Sequence, residues 1–312
     1  MEIYPKTLDE FEEWFSSESA CRDYLISLRW PNGFSCERCG HEKCWAMANG
    51  LYECSRCGFQ NSITAGTIFQ DTKKPLAIWF RAMWHITSQK YGTNALGLQR
   101  VLGLGSYRTA WTWLHKFRRA MVRPGRDLLS GEVQVDESYI GGKKPGKRGR
   151  GAEGKTLVLV AAEEDGLRIG RIRLHRIPDA SAESIEAAIV AMISPGAGIC
   201  TDGWGGYNGL NRLGYAHEVV RKEANVGEDL LPLCHRVAGL LKRWLLGTLQ
   251  GAVSHEHLEY YLDEYTFRFN RRTSRYRGKL FYRLVQQSVA VDPAPLKSMI
   301  KHARGPAPRH QM

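Results

Sequence analysis

Two aspartates in or after short apolar runs are the residues of this chain best placed to do chemistry. Asp136 lies in Val-Gln-Val-Asp-Glu-Ser-Tyr-Ile, a predicted strand, and Asp202 follows the apolar residues 198–200. An unpaired carboxylate is costly inside a strand, so a divalent metal ion would explain Asp136. The alternative is an edge strand whose acidic face lies in water. Together the two aspartates predict metal-dependent chemistry.

The charge of the chain indicates the partner of that chemistry. The 312 residues carry a formal net charge of +12, which favours a polyanion such as nucleic acid. A single run of charges is usually a solvated face, but three runs beside candidate functional segments favour a nucleic-acid partner. These runs are Arg118, Arg119, Arg123 and Arg126; Lys143, Lys144, Lys147, Arg148 and Arg150; and Arg268, Arg271, Arg272, Arg275, Arg277 and Lys279.

Four cysteines have the spacing of a zinc site. They form two C-x2-C pairs, each followed by a glycine: Cys36 with Cys39, and Cys54 with Cys57. Four thiolates from two such pairs make a tetrahedral Zn²⁺ site that stabilises a segment too small for its own core. We expect His41 and Cys44 to lie outside this site. Two such cysteine pairs around one zinc ion are typical of a zinc ribbon. Nearby aromatic and basic residues favour DNA contact by this ribbon: Arg38, Trp45, Tyr52 and Arg56.

The same cysteines, the N-terminus and the hydropathy predict the compartment. Six of the eight cysteines lie between Cys21 and Cys57, which is not a disulfide framework, so the thiols are expected to be reduced. The N-terminal residues are acidic and lack the pattern of a signal peptide, and no apolar run approaches the ~20 residues of a membrane span. We therefore expect a cytoplasmic protein with no membrane partner.

Apolar residues at helical spacing predict helices at 1–30 and again at 64–126. In the second segment, the glycine turn Gly103-Leu-Gly105-Ser106 separates a short helix from one over residues 107–122. This arrangement is typical of a helix-turn-helix module, in which Ser106, Tyr107, Arg108 and Thr109 would enter a DNA groove. A helical linker without DNA contact is the alternative.

The periodicity changes to that of strands at residue 131. Three strands, a helix capped by Ser181 or Ser184, two more strands and a helix over residues 233–246 follow in order. This order predicts a ribonuclease H-like domain, an α/β fold with a mixed five-stranded sheet. His235 and Lys242 share one face of the last helix, since seven residues is close to two turns. The loop at 141–151 is cationic and is predicted to contact phosphate.

Taken together, these segments resemble the DDE-class transposases of bacterial insertion sequences. The resemblance is to the subgroup with an N-terminal zinc ribbon and an ISXO-type, ribonuclease H-like catalytic domain. The similarity extends over residues 8–285. The resemblance rests on the four cysteines and on four motifs: Val-Asp-Glu-Ser-Tyr-Ile-Gly-Gly-Lys from Val135, Thr-Asp-Gly from Thr201, Leu-Leu-Lys-Arg from Leu240, and Leu-Asp-Glu-Tyr-Thr-Phe-Arg-Phe-Asn-Arg-Arg from Leu262.

The resemblance implies roles for individual residues. Asp136 and Asp202 would be two of the ligands for catalytic Mg²⁺ or Mn²⁺, and Lys242 would hold a phosphate as a point charge. The third acidic residue of the family normally lies seven positions before that lysine, where this chain has His235. Imidazole binds Mn²⁺ acceptably and Mg²⁺ less readily, so His235 is the expected third ligand. The alternatives are that Glu228 or Asp229 reaches the site, or that this copy is inactive.

The implied activity is cleavage at the ends of a DNA element and strand transfer into target DNA. Two ends must be joined together, so a homodimer or larger assembly on double-stranded DNA is expected, associated with the bacterial nucleoid. A metal-dependent nuclease without strand transfer and an inactive, transposase-derived DNA-binding protein are the alternatives. The predicted order is helices at 1–30, a zinc ribbon at 31–63, a helical DNA-binding segment at 64–126, the catalytic domain at 131–290 and a flexible tail at 291–312.

Overall fold

The computed structural model describes residues 2–141, 155–220, 229–251, 253–296 and 299, which fall into two compact units. One unit contains the described residues of Met1–Pro124 and Ser274–His302, and the other contains those of Gly125–Thr273. Within this part of the chain, no helix has the length and apolarity that crossing a membrane requires. The helices are α1 (Leu8–Trp14), α2 (Glu18–Arg29), α3 (Leu76–Ser88), α4 (Ala95–Leu102), α5 (Tyr107–Ala120), α6 (Ala182–Met192), α7 (Pro232–Leu249), α8 (Leu258–Phe269) and α9 (Gly278–Ser288). The strands are β1 (Cys44–Ala46), β2 (Tyr52–Cys54), β3 (Gln60–Asn61), β4 (Glu132–Ile140), β5 (Thr156–Asp165), β6 (Arg168–Ile177), β7 (Gly198–Thr201) and β8 (Ala216–Val219).

Helix α3 is the centre of the first unit. Its sequence is apolar on nearly every side, and α2, α4 and α9 pack around it. Aromatic rings fill the contacts: Phe11 stacks on Trp84 with ring centroids 4.7 Å apart, and Phe281 of α9 lies 5.3 Å from Phe11 and 5.7 Å from Phe80. Helix α9 therefore belongs to the first unit, although the sequence assigned it to the predicted catalytic domain at 131–290.

The predicted helix pair around the glycine turn is present as α4 and α5. Asn94 begins α4 by accepting the N–H of Gly97 at 2.7 Å, and Gly103 ends it in the left-handed region with φ 61°. Helix α5 starts at Tyr107 as expected and ends at Ala120, two residues before the predicted end. Its buried residues include the predicted inward positions Ala110, Trp113, Leu114 and Phe117.

The second unit is built on a mixed five-stranded sheet in the order β6-β5-β4-β7-β8. Strand β5 pairs antiparallel with both β4 and β6, and β7 pairs parallel with both β4 and β8. Helix α6 forms the crossover between β6 and β7. This sheet, with helices on its faces, is the predicted ribonuclease H-like architecture, and the fold prediction is confirmed.

Each face of this sheet has its own apolar core. Val133 and Val135 of β4 point to the face that α6 covers, together with Ile185 and Ile189 of that helix. Residues of the opposite alternation, such as Ile140, join the core formed by α7 and α8. Because side chains alternate along a strand, Asp136 points to the α7 face. The candidate chemistry is therefore located between β4 and α7.

Candidate active site and zinc centre

The four predicted zinc ligands form a cluster. Strands β1, β2 and β3 make a small antiparallel sheet, and the two cysteine turns at its end close through Gly40 and Gly58, both at positive φ (68° and 66°). The Sγ atoms of Cys36 and Cys57 lie 3.7 Å apart, as do those of Cys39 and Cys54, and all four lie within 4.8 Å of one another. A tetrahedron with Zn–S of roughly 2.3 Å has an edge of about 3.8 Å. The cluster thus fits Zn²⁺.

The surroundings of Cys36 favour the thiolate that zinc requires. Burial acts to raise the pKa of this thiol, but hydrogen bonds from the backbone N–H groups of Cys39 and Arg38 and from the Asn61 side chain outweigh it and lower the pKa to about 6. His41 instead contacts Ser55, with 3.0 Å between Nε2 and Oγ, and Cys44 is not in the four-sulfur cluster. The cluster and its fold support a structural zinc ion.

Asp136 lies on the central strand of the five-stranded sheet. Its Cα is paired with Val160 of β5, and 17% of its side chain is exposed. The alternative of an edge strand with its acidic face in water is therefore wrong. A carboxylate with so little contact with water requires cationic or hydrogen-bonding partners to remain charged.

The first turn of α7 is docked onto the sheet at Asp136. The backbone N–H of Leu233 donates to Gln134 Oε1 at 3.0 Å, and Cys234 Sγ donates to the carbonyl oxygen of Val160 at 3.4 Å. Gln134 lies two residues before Asp136 on β4, and Val160 is the partner of Asp136 on β5. These contacts bring His235 Nε2 to 3.4 Å from Asp136 Oδ2. The sequence placed these two residues on separate elements, and the structure brings them together.

Asp229, named from the sequence as an alternative ligand, lies on the other side of the same histidine. Its Oδ1 is in hydrogen-bond contact with His235 Nδ1. About half of each side chain is exposed, 52% in both cases. The imidazole therefore bridges two carboxylates, with one nitrogen facing Asp136 and the other facing Asp229. The second alternative ligand, Glu228, and residues 142–151 of the predicted phosphate-contacting loop lie outside the described residues.

Asp202 follows the end of β7, next to β4. The parallel register pairs Gln134 with Cys200, so Asp136 and Asp202 each lie two residues beyond the last pair, at the same level of the sheet. The Asp202 carboxylate is exposed, and its Oδ1 accepts the backbone N–H of Trp204 at 3.0 Å. Among the described residues, however, Asp136, Asp202 and His235 do not form a set with all ligand atoms within 4.8 Å.

Tyr207 adds a buried phenol to this acidic region, and sequence reasoning did not single it out. It ends the short 3-10 turn Gly205–Tyr207 after Asp202 and is fully buried. Burial first, and then the negative charges of Glu137 and Asp136 with a smaller contribution from Asp202, raise the pKa of Tyr207 far above its usual range. The three carboxylates are thus close enough to act on one hydroxyl group.

Lys242 lies two turns after His235 on α7, as predicted. Partial burial lowers the pKa of its ammonium group, the neighbouring charge of Lys155 lowers it further, and Asp136 partly opposes both. Lys242 is therefore within electrostatic reach of Asp136 and of a second cation. A pair of neighbouring cations beside an acidic site is suited to bind a polyanion that carries one phosphate after another.

Comparison with known proteins identifies two domains. The family model of the ISXO2-like transposase domain matches residues 128–270, and that of the transposase zinc-ribbon domain matches residues 16–60. No curated protein matches the chain. The first match contains Asp136, Asp202, His235 and Lys242, and the second contains all four clustered cysteines. By these two domains, the chain belongs to the insertion-sequence transposases that join a zinc ribbon to an ISXO2-like domain.

Proposed function

We propose that this chain is a DNA transposase that cleaves the ends of an insertion sequence and transfers them into target DNA. Membership of a transposase family implies DNA binding. The observation that carries the proposal is the contact between His235 on α7 and Asp136 on the central strand, with Nε2 and Oδ2 3.4 Å apart. It joins the histidine at the third ligand position to the first aspartate of the family motif.

In this proposal Asp136, Asp202 and His235 hold Mg²⁺ or Mn²⁺. When bound, two such cations stabilise the charge that develops on the attacking and leaving oxygens of a phosphodiester. Asp136 is fixed by the sheet, His235 by the docked first turn of α7, and Asp202 follows the neighbouring strand. Lys242 holds a phosphate of the DNA beside Asp136. Water attacks the phosphorus of the first phosphodiester, whose P–O3′ bond breaks to leave a 3′-hydroxyl and a 5′-phosphate. That 3′-hydroxyl then attacks a phosphorus of the target strand and displaces the target's own 3′-hydroxyl.

The fit of these residues to a metal site is incomplete, and this favours a second candidate function. The donor types suit a divalent cation, and two of the donors are already together, but Asp202 does not complete a set within 4.8 Å. A chain that binds DNA without cutting it would have the same domains. That second candidate is a transposase-derived DNA-binding protein without catalysis.

The proposed active form is a homodimer or larger assembly on DNA, because the two element ends must be cut and joined together. Light scattering of the complex with end DNA should give a mass of at least two chains per complex. A complex with the mass of a single chain bound to DNA would contradict this part of the proposal.

Strand cleavage and joining on an end-containing duplex test the proposal. We expect products from the wild type, with more in Mn²⁺ than in Mg²⁺ because of the histidine, and none from Asp202→Ala or His235→Ala. His257→Ala, which changes another histidine of the same unit, is the matched control. Full activity of His235→Ala would show that another residue is the third ligand. Tight DNA binding by a wild type that is inactive in both metals would favour the second candidate.

A further inference from the structure

A basic cavity lies in the first unit, beside the first turn of α5. Its volume is about 360 Å³, and it is lined by four cations, Lys73, Lys74, Arg108 and Lys116, and by one acid, Asp71. Three of these cations, Lys73, Lys74 and Lys116, lie in the predicted DNA-binding segment at 64–126 but belong to none of the basic runs named from the sequence. The fold has therefore gathered charges that are well separated along the chain.

The cations of this cavity are not neutralised by the protein. Within the described part of the chain, Lys73, Lys74 and Arg108 form no ion pair with an acidic side chain. Lys116 Nζ donates to the carbonyl oxygen of Ile68 at 2.9 Å, and burial lowers the pKa of this amine while Asp71 partly opposes the shift. Bringing like charges together costs free energy, which an anion in the cavity would offset.

Hydroxyl groups and a rigid wall complete the cavity. Ser106 and Thr109 line it, and the Ser106 side chain makes no capping hydrogen bond to α5. Trp79 stacks on Trp113 with ring centroids 3.9 Å apart, and its Nε1 donates to Thr72 Oγ1 at 2.7 Å. The wall is thus held in place by both ring stacking and a hydrogen bond, and the polar groups project from a fixed surface.

We propose that this cavity binds a backbone phosphate of a DNA strand. A phosphodiester is an anion that only accepts hydrogen bonds, so ammonium, guanidinium and hydroxyl donors match it. The choice of DNA as the source of the phosphate rests on the proposed function. On this assignment Ser106, Arg108 and Thr109 position the protein on the duplex by contacting its backbone. They do not read base edges in a groove, in contrast to the expectation from the helix-turn-helix pattern.

The salt dependence of DNA binding measures these contacts. Each removed phosphate contact lowers the magnitude of the slope of log affinity against log salt by roughly 0.9, so the double variant Lys73→Ala/Arg108→Ala should lose about 1.8. Its affinity for a duplex should fall about fivefold for each cation at moderate salt. Lys90→Ala, which removes an exposed cation of the same unit outside the cavity, should change neither quantity as much. An unchanged slope in the double variant would overturn the proposal.

Neutral methylphosphonates, placed one at a time along an end duplex, locate the phosphate. We expect one position to weaken wild-type binding and to weaken binding of the double variant less, since two of the four cations of the cavity are gone. Interference of the same size at that position in the double variant would refute the assignment. Inorganic phosphate is the second probe: if it binds the cavity as tightly as the duplex does, a DNA strand is not the ligand.

These measurements are independent of catalysis. Asp136→Ala should keep the interference at the cavity's phosphate position, because Asp136 does not line the cavity. If strand cleavage fails in every metal while the interference pattern stands, the transposase activity is refuted and the phosphate site is retained. Zinc content and thermal unfolding of the double variant should equal those of Lys90→Ala, and a loss of structure would be visible there.

Discussion

Replacing Asp229 tests whether the carboxylate behind His235 prepares this histidine for a metal ion. The structure places Asp229 at Nδ1 and Asp136 at Nε2 of the same imidazole. A carboxylate that accepts the Nδ1 proton leaves the lone pair on Nε2, the nitrogen that faces Asp136 and the metal position. Asp229→Ala removes this constraint on both the tautomer and the ring orientation. We therefore expect weaker metal binding without loss of any ligand.

The exposure of the pair determines the expected magnitude. A hydrogen bond to a charged group contributes roughly 1.5–3 kcal/mol. Both side chains are 52% exposed, so water competes for the contact and its contribution falls to about 1 kcal/mol. That corresponds to about a fivefold loss of Mn²⁺ affinity. Losses measured for such supporting carboxylates run from roughly 10-fold to 100-fold, so fivefold to tenfold is the expected range.

Titration of the protein with Mn²⁺ alone, followed by electron paramagnetic resonance, measures this affinity without DNA or turnover. We expect His235→Ala to bind most weakly, Asp229→Ala to bind more tightly than it, and Asp229→Asn to lie between Asp229→Ala and wild type because an amide oxygen still accepts the proton. Glu256→Ala removes an exposed carboxylate of the same unit and serves as the control. Wild-type affinity in Asp229→Ala would refute the argument, because the histidine would then be oriented without its partner.

Three further predictions follow from the described contacts. Cys36→Ser should lose its zinc, measured by atomic absorption, and zinc retention by the wild type should weaken as the pH falls, because all four clustered thiols must release their protons to bind the ion. Gly278→Ala would place a Cβ in steric overlap with the carbonyl oxygen of Pro5, so thermal unfolding should show a loss of roughly 2 kcal/mol or more. Burial acts to raise the pKa of Glu163, but hydrogen bonds from Arg171 and Ser130 outweigh it and lower this pKa. The carboxylate therefore stabilises the fold above its unfolded pKa of roughly 4.3. That contribution is lost as the pH falls through the lower pKa of the folded state. Chemical unfolding of Glu163→Gln should therefore show a deficit of roughly 1–2 kcal/mol at neutral pH that disappears in acid.

The local elements could be predicted because each has a signal in consecutive residues. The spacing of Cys36, Cys39, Cys54 and Cys57 predicts the sulfur cluster directly, since two short turns suffice to bring the pairs together. The alternation around Asp136 predicts a strand, and the period of α5 predicts which of its side chains are buried. In these cases the physical cause of the structure lies within about a dozen residues, and the structure agrees.

Contacts between distant segments could not be predicted, because no periodicity encodes them. The approach of Tyr207 to Glu137 depends on the path of the chain after Asp202. The basic cavity depends on the packing of residues 71–74 against α5, which is set by the stacked pair of tryptophans. Likewise, the amphipathic pattern of α9 predicts a helix with an apolar face, but not that this face packs on α3.

In the proposed site, a histidine as the third ligand changes the electrostatics as well as the ligand set. Three carboxylates would carry three negative charges, whereas Asp136, Asp202 and a neutral His235 carry two. Burial and the neighbouring charge of Lys155 lower the pKa of Lys242, and Asp136 opposes that shift. A less negative site attracts a divalent cation less strongly but repels the DNA phosphates less as well. Asp229 returns a negative charge behind the imidazole, at a position where it polarises Nε2 without occupying a coordination site. The two carboxylates around His235 thus account for how an imidazole could act where the family normally has an acid.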